Sequence, residues 1–277
     1  MRKASKVITV LVFIFLYFPI IILAVASFSS GTDIAVFKEF TFSRYAELFK
    51  DAALLRLVRN SAIIAIVSTI VATGLGTAAA VGIHRMGKKM RGLVMGMTNI
   101  PITNPDIVTG VSLALMFAFA GTILRSNAIL GFWTLLIAHV TFNLPYVILN
   151  VMPRIAQMDP NLTDAAMDLG CTPAKAFFKV TLHEIMPGVI AGALMSFTMS
   201  LDDFVISYFV TGFEFVTLPV EIYNYTKKPI HPKVYALFTL LFLVILILMI
   251  VMNILQSRSE SRREKMHIRA KAAGGEV

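Results

Sequence analysis

The chain has 277 residues, 57% of them hydrophobic and 15% charged, with a mean hydropathy of +0.78. This composition excludes an ordinary soluble domain, because the single core of a 277-residue soluble protein cannot bury this much apolar surface. It indicates a membrane protein. The net charge of +9 does not indicate a nucleic-acid partner, since the basic residues form short clusters between apolar runs without interleaved aromatic residues.

Six apolar segments predict an all-α, polytopic fold, because a helix needs about 20 residues to cross the hydrocarbon of a bilayer. The first segment follows the basic sequence RKASK and is too long for the core of a signal peptide, so we interpret it as an uncleaved anchor. Six spans put both termini on one side, and the excess of Lys and Arg in the segments of that side predicts an N-in/C-in orientation. The predicted spans are residues 7–28, 60–83, 93–120, 130–152, 188–211 and 234–255.

Three carboxylates lie inside the predicted spans, at Asp106, Asp202 and Asp203. A charged side chain at the centre of a spanning helix costs about 3 kcal/mol on insertion scales, so such residues by default face a transport pathway or a partner helix. Pro101 and Pro105 each remove a backbone donor just before Asp106, which predicts a broken or kinked third span that lines a cavity. Pairing of Asp106 with a neighbouring helix is the alternative.

The adjacent acids Asp202 and Asp203 cannot share one face of the fifth span, since neighbouring helical positions differ by about 100°. Asp203 shares a stripe at helical spacing with Ser196, Ser200 and Ser207. We therefore favour Asp203 as the pathway residue and expect Asp202 to meet a partner helix.

Two further patterns predict contacts between helices rather than ligand sites. Gly74, Ala78 and Gly82 lie on one face of the second span, where small residues let helices approach closely. His139 and Asn143 stand one turn apart in the fourth span, and hydrogen bonds to another helix are the better interpretation of this pair.

The predicted cytoplasmic loop between the fourth and fifth spans, residues 157–187, carries the signals of two short capped helices. Asp159 is a good N-cap, Gly170 provides a left-handed stop, and Thr172 with Pro173 begins a second helix at once. Loops of this length seldom carry two capped helices without a function. We therefore predict that this loop docks to a soluble partner.

A short motif in this loop comprises Asp164, Ala165, Ala166 and Gly170, followed by Val180 and Leu182. It resembles the EAA loop of ATP-binding-cassette (ABC) importer permeases, whose pattern is E-A-A-x-x-x-G followed nine residues later by I-x-L-P. Asp164 replaces the usual Glu and keeps its negative charge, and His183 replaces the usual Pro. The two alanines keep the helix surface low, so that the backbone of a partner can approach.

Longer stretches carry a narrower resemblance: NPDIVTGVSLALMF at 104–117, LIAHVTFNLPYVI at 136–148, SLDDFVISYFVTG at 200–212 and LPVEIY at 218–223. They are similar to the PotC-type permeases of spermidine/putrescine importers, which have the MetI-like architecture of type I ABC importers. The resemblance implies that residues 1–277 form a single ABC transporter transmembrane domain in a bacterial cytoplasmic (inner) membrane.

The resemblance also implies a set of partners. Such permeases assemble with a second homologous permease subunit, two copies of an ABC ATPase subunit and an extracytoplasmic polyamine-binding protein. ATP and Mg bind to the ATPase subunits, so the resemblance implies a chain that binds no cofactor and is not an enzyme. The EAA loop transmits the movement of the ATPases to the spans, which alternate between outward-facing and inward-facing states.

The substrate that the resemblance implies is a polyamine, whose ammonium groups are joined by flexible methylene chains. Spaced carboxylates match these charges, and aromatic faces add cation–π attraction. Packing against neighbours is the alternative role of each tyrosine in the set. The predicted pathway residues are Asp106, Asp202, Asp203, Tyr208 and Tyr45.

Other functions compete with a polyamine permease. A permease for another small solute shares the scaffold, an ion-coupled secondary transporter has acids in broken helices but needs no docking loop, and a membrane scaffold needs only the docking loop. An intrinsic ATPase is not expected. The sequence GIHRMGKK at 82–89 has Lys89 where a phosphate loop requires Ser or Thr, and it leaves a helix where a strand is required.

Overall fold

The structure is a computed structural model that describes residues 2–31, 37–125, 130–159, 161–227, 233–247, 249–251 and 254. Within these ranges the chain is helical apart from turns, bends and extended links, and an isolated β-bridge pairs Ser29 with Phe40. The all-α class predicted from the sequence is confirmed.

The described chain contains both long helices and short connecting ones. Residues Phe177–Thr181 form a π-helical turn that joins α8 to α9 without an end between them. The helices are α1 Arg2–Ser27, α2 Ser43–Lys50, α3 Ala52–Arg85, α4 Lys88–Thr103, α5 Asp106–Leu124, α6 Phe132–Gln157, α7 Asn161–Asp168, α8 Pro173–Ala176, α9 Leu182–Asp202, α10 Val205–Val210, α11 Leu218–Thr226 and α12 Lys233–Val251.

Six segments of the described chain are long and apolar enough to cross a membrane, which is the number predicted from the sequence. Of the predicted sixth span, residues 248, 252, 253 and 255 lie outside the described residues. The six segments are Lys6–Ser27, Ala52–Arg85, Asp106–Leu124, Phe132–Gln157, Pro173–Asp202 and Lys233–Val251.

The third predicted span, 93–120, is two helices in the structure. α4 ends at Thr103, Asn104 and Pro105 have extended backbones, and α5 starts at Asp106. The cause is Pro105, which has no N–H group and disfavours the helical region for the residue before it. Asp106 is therefore the first residue of a helix rather than a residue midway along one.

The fifth predicted span, 188–211, differs at both ends. Its helix starts at Pro173, because the second helix of the loop continues through the π-helical turn into α9. At the other end α9 stops at Asp202, since Asp203 has an extended backbone with φ −61° and ψ 119°. No proline or glycine marks this second interruption in the sequence.

The described chain divides into two compact units, one within Met1–Arg56 and Tyr223–Leu255 and the other within Leu57–Ile222. In the first unit, the buried Arg44 guanidinium donates to the carbonyl oxygens of Ala26, at 2.8 Å, and of Gly31. The same group lies 5.9 Å from the centre of the Tyr235 ring. These contacts join α2 to the end of α1 and the start of α12.

The second unit is built around α6, whose side chains are the most thoroughly buried among the candidate spans. One apolar cluster forms where α6 meets α3 and α9, and a second where it meets α3, α5 and α10. The first cluster contains Ala72, Ala80, Ile83, Val147, Ile148, Val151, Met152, Ile155 and Ile185, and the second contains Ile64, Phe117, Leu135, Leu136, Ala138, Phe142, Ile206 and Val210.

The small residues that pack inside the second unit are not the face predicted on the second span. A Cβ atom added at Gly74 or Gly82 would meet nothing within 4 Å. At Gly76 an added Cβ atom would lie 2.7 Å from Cβ of Val147, and at Gly192 of α9 it would lie 3.1 Å from Cα of Val147. Two helices, α3 and α9, therefore pack closely against one valine of α6.

Candidate functional site

The first helix interruption, between α4 and α5, places Asp106 at a helix N-terminus. The Asn104 side-chain amide donates to Oγ1 of Thr109 at 3.2 Å, and the Pro105 carbonyl accepts from the N–H groups of Val108 and Thr109. Asp106 is exposed at the surface of its unit. Its negative charge in the first turn of α5 is favoured by the helix dipole. The predicted break is therefore present, and it places the exposed carboxylate of Asp106 at the start of α5.

The second interruption, between α9 and α10, is held by the carboxylate of Asp203. Oδ2 of Asp203 accepts from the N–H group of Ser207 at 2.8 Å and from its hydroxyl at 2.7 Å, and Oδ1 accepts from the N–H group of Ile206 at 3.2 Å. The backbone donors at the start of a helix lack partners within the helix, so Asp203 caps α10. Its side chain is 8% exposed.

A buried polar network joins Asp203 to α6. Nδ1 of His139 lies 2.6 Å from Oγ of Ser200 in α9, and Nε2 lies 3.0 Å from Oγ of Ser207 and 3.5 Å from Oδ2 of Asp203. The Asn143 side chain donates to Oγ of Ser200 at 3.1 Å. The role between helices predicted for His139 and Asn143 is confirmed. Across the described chain, no group of three or more His, Cys, Asp or Glu side chains is arranged to hold a metal ion.

The adjacent acids Asp202 and Asp203 have different surroundings. Asp203 is engaged inside the unit, whereas Asp202 is exposed at the last turn of α9. The sequence-based preference for Asp203 as the pathway acid assumed one continuous helix, and that premise is wrong because α9 ends at Asp202. Ser200 and Ser207 of the predicted stripe do meet around Asp203, but as hydrogen-bond partners of the network.

Both interruptions lie at the same end of one pair of packed helices. A Cβ atom added at Gly110 of α5 would lie 3.3 Å from Cα of Ile206 and 3.0 Å from Cδ2 of Phe209 in α10. Asp106 precedes Gly110 by four residues, and Asp202 precedes Ile206 by four. The contact lies near the N-terminal end of each of the two helices. One exposed carboxylate from each span therefore precedes the same helix contact.

Aromatic rings accompany the interruptions. Tyr208 of α10 is 40% exposed, and its ring centre lies 5.5 Å from the centres of both Phe204 and Phe209. Tyr146 of α6 interacts electrostatically with Asp106. The pattern of the sequence does not predict this role of Tyr146, because its interaction with Asp106 depends on how α5 and α6 pack, although its place in the stretch 136–148 is a usable signal.

Tyr45 belongs to the first unit. Its hydroxyl lies 2.7 Å from Oγ of Ser27, and its ring centre lies 5.2 Å from that of Phe28 and 6.4 Å from that of Phe42. These contacts match the packing role that was its alternative interpretation. The pathway role of Tyr45 remains a prediction.

The loop between α6 and α9 contains the sharp turn predicted at Gly170. This residue has φ +88°, in the left-handed region that favours glycine. Its N–H group donates to the carbonyl of Met167 at 2.9 Å, and the N–H group of Cys171 donates to that of Ala166 at 3.1 Å, which closes the end of α7. Thr172 caps the next helix. α7 is thus a separate short helix, whereas the second helix is the start of the long segment that contains α9.

α7 turns one alanine of the motif inward and the other outward. Ala166 is 9% exposed, while Asp164, Ala165 and Gly170 are exposed. Oγ1 of Thr163 lies 3.3 Å from Oγ1 of Thr181, which ties α7 to the π-helical turn. Large apolar side chains are exposed nearby: Leu162, Met167, Leu169 and Phe178.

A family of transport-system components matches most of the sequence. The sequence matches the family described as binding-protein-dependent transport system inner membrane component over residues 72–265, which is more than two thirds of the chain. The chain belongs to this family. It is a multi-pass membrane protein of that class.

Within the class, the chain is similar to polyamine permeases. It is 38% identical over 259 residues to the putrescine transport system permease protein PotI of Escherichia coli (strain K12), which covers 93% of this chain and 92% of that protein. It is 38% identical over 230 residues to the spermidine/putrescine transport system permease protein PotC of the same strain, which covers 83% of this chain and 85% of that protein. The resemblance stated from the sequence is confirmed.

Solved structures share the fold at low sequence identity. A bacterial ABC transporter involved in the import of the acidic polysaccharide alginate matches with a TM-score of 0.70 and 15% identity, over 93% of this chain and 95% of that chain. The MetNI methionine ABC transporter in an inward-facing conformation matches with a TM-score of 0.56 and 21% identity, over 74% of this chain and 93% of that chain. The predicted MetI-like architecture is confirmed.

Proposed function

We propose that this chain is the permease subunit of an ATP-driven ABC importer and forms half of the pathway that carries spermidine or putrescine across the bacterial cytoplasmic membrane. One observation carries the proposal. Asp106 and Asp202 stand exposed at two helix interruptions, in a chain that is 38% identical to the PotI and PotC permeases over most of its length.

The chemistry of the interruptions suits a chain of ammonium groups. An ammonium group that leaves water needs anions or carbonyl dipoles in its place, and the two carboxylates provide the first. The C-terminal end of α9, next to Asp202, adds the negative end of a helix dipole. The rings of Tyr208 and Tyr146 offer faces for cation–π contact and for the methylene segments between the charges.

Asp203 has a different role in this proposal. Its carboxylate holds the start of α10 through three hydrogen bonds, so it keeps the interruption open and fixes the neighbouring Asp202. Asp203 is therefore a positioning residue, and Asp106 and Asp202 are the acids that meet the cation.

The short helix α7 is proposed as the docking element for the ATPase. Its exposed residues Asp164 and Ala165, with the turn at Gly170, form a surface that a groove in a soluble partner can receive. ATP and Mg would bind to two copies of that partner. A second homologous permease would complete the pathway, and an extracytoplasmic binding protein would deliver the substrate to it. Both termini would lie in the cytoplasm.

Uptake into proteoliposomes tests this function. The complete complex is reconstituted with its binding protein, and entry of labelled spermidine is followed with ATP inside, with no nucleotide, and with an imposed ion gradient. We expect ATP alone to drive uptake, and unlabelled putrescine but not methionine to compete. Uptake driven by the ion gradient would instead identify a secondary transporter, and competition by methionine without any by putrescine would identify a permease for another solute.

A further inference from the structure

We infer that His139 is the positioning residue that fixes the interruption between α9 and α10, and that it does so as a neutral imidazole with its proton on Nε2. Only the expected effect of His139 on polyamine uptake rests on the proposed function. The protonation of His139 is a property of the fold and can be measured independently.

His139 is placed to bridge the interruption. Ser200 lies three residues before Asp203, near the end of α9, and Ser207 lies four residues after it, in α10. The two ring nitrogens of His139 contact these two hydroxyl groups at 2.6 Å and 3.0 Å. A single side chain of α6 therefore sets the spacing of both helix ends, and the ring is buried at 2% exposure.

The contacts of Asp203 determine which nitrogen of His139 carries the proton. The Ser207 hydroxyl has one proton, and it is donated to Oδ2 of Asp203 at 2.7 Å, because an ionised carboxylate only accepts. Oγ of Ser207 must then accept from Nε2 of His139. Burial of the ring, at 2% exposure, disfavours its charged form, and in a neutral imidazole the other nitrogen accepts, so Nδ1 receives the proton of the Ser200 hydroxyl.

The rest of the network agrees with this assignment. Oγ of Ser200, having donated to His139, accepts from the Asn143 amide at 3.1 Å and from the Ser68 hydroxyl of α3 at 2.7 Å. The Ser68 hydroxyl has the Ala65 carbonyl as a second acceptor only at 3.4 Å. Each of these hydroxyl and ring protons thus has one acceptor at short distance. The hydrogen bonds are donated in one direction along the network, from α3 through α9 and α6 to α10.

The network around His139 also affects the position of Asp202. This residue is the last of α9, so its position depends on where the end of α9 is held, and Ser200 is the anchor of that end. Without His139, the hydroxyls of Ser200 and Ser207 lose a shared partner inside the unit. The end of α9 is then less restrained, although Asp202 itself is unchanged.

Nitrogen-15 NMR of the histidine rings tests the assignment. The assembled complex is labelled with ¹⁵N-histidine, and the signals of His139 are identified as those absent from His139→Gln. We expect a neutral ring with the proton on Nε2, and a shifted Nε2 signal in Ser207→Ala. A proton on Nδ1, or on both nitrogens, would overturn the inference.

The expected effect on Asp202 is tested by transport assays on variants. The quantity measured is the number of polyamine molecules carried per ATP hydrolysed. We expect His139→Ala to lower this ratio about tenfold, in line with the cost of misplacing a functional group. His139→Gln, whose amide offers an acceptor oxygen and an NH2 group that donates, should recover most of it. Thr141→Val is the matched control on α6, because the Thr141 hydroxyl bonds to the Ile137 carbonyl of its own helix, and it should behave as wild type.

Two results would contradict the positioning role: a normal ratio in His139→Ala, or His139→Gln no better than His139→Ala in a folded complex. If alanine at this position prevents assembly, Ser207→Ala replaces it and is expected to lower the ratio, and a normal ratio there would equally contradict the role. If the wild-type complex carries no polyamine, the proposed function fails, while the NMR result still decides the state of His139.

Discussion

The hydroxyl group of Ser207 donates a hydrogen bond to Oδ2 of Asp203 at 2.7 Å, and this contact separates the roles of two adjacent carboxylates. Asp203 faces inward and completes the first turn of α10. Asp202, one residue earlier, ends α9 and is exposed. The two acids should therefore respond differently to the same substitution.

Replacing Asp203 with asparagine should destabilise the protein as well as lower transport. The amide has one acceptor where the carboxylate has two, so part of the cap on α10 is lost, at a cost of about 1–3 kcal/mol. Thermal unfolding of the purified complex measures this effect. Unfolding at the wild-type temperature would show that the cap contributes nothing.

Asp202→Asn is the matched variant. We expect wild-type thermal stability, because the side chain is exposed, together with a fall of roughly tenfold in polyamine uptake, the effect of losing one charged partner. If Asp202→Asn transported normally while Asp203→Asn lost only transport, the roles assigned to the two residues would be reversed.

Docking of α7 is tested by its two alanines. Ala165→Phe places a bulky side chain on the exposed surface, so we expect it to release the ATPase without altering the unfolding of the isolated permease. Co-purification of the ATPase measures the first effect. Ala166→Phe is the contrast, since Ala166 is buried and the substitution should destabilise the permease itself. Retained ATPase and transport in Ala165→Phe would exclude α7 as the docking surface.

The close contact between α6 and α9 is tested at Gly188. A Cβ atom added there would lie 2.7 Å from both the carbonyl oxygen of Asn150 and Cγ of Arg154. Because a backbone atom is one of the two, we expect Gly188→Ala to destabilise the isolated chain by about 1–3 kcal/mol. Gly82→Ala is the control and should be neutral or stabilise by about 0.5–1 kcal/mol, because an added Cβ atom meets nothing within 4 Å. Equal unfolding temperatures for the two variants would be inconsistent with this packing.

A pH dependence is expected from the ion pair of the first unit. The hydrogen bond from Lys233 to Oδ2 of Asp51, at 2.7 Å, lowers the pKa of the Asp51 carboxyl below its ordinary value, with burial acting in the opposite direction. Since the folded-state pKa is the lower one, the stabilisation is present above the unfolded-state pKa and is lost as the pH falls through the folded-state value.

Asp51→Asn isolates this charge effect. Oδ1 of Asp51 also accepts from the N–H groups of Ala53 and Leu54, and asparagine can keep that cap. We expect the variant to be less stable than wild type by up to about 1 kcal/mol at neutral pH, and this difference to narrow as the pH falls through the lowered folded-state pKa of Asp51. Thermal unfolding across this range measures the difference. A difference that did not narrow in acid would contradict the assignment to the ion pair.

The number of spans and the break before Asp106 were predictable because both are local properties of the sequence. The length of an apolar segment identifies a spanning helix, and Pro105 lacks a backbone N–H donor whatever its surroundings in the fold. The turn at Gly170 was predictable for the same reason. The interruption at Asp203 was not, because no proline or glycine marks it and the polar network around it includes His139, which lies 64 positions earlier in the chain.

The face of α3 that packs against α6 could likewise not be predicted from the sequence. Two series of small residues alternate on this helix at the same spacing, and both are suitable for close packing. Ala72, Gly76 and Ala80 are buried, whereas Gly74, Ala78 and Gly82 are exposed. The position of Val147 on α6 decides between them, and no pattern within the second span contains that information.

The most direct test of the cation pathway is the number of polyamine molecules carried per ATP hydrolysed when Asp106 and Asp202 are both replaced by asparagine. The variant and wild-type complexes are compared in proteoliposomes with saturating binding protein. We predict that ATP hydrolysis stimulated by the binding protein continues, because α7 is unchanged, while transport per ATP falls by at least roughly tenfold. A double variant that carried as much polyamine per ATP as wild type would contradict the account.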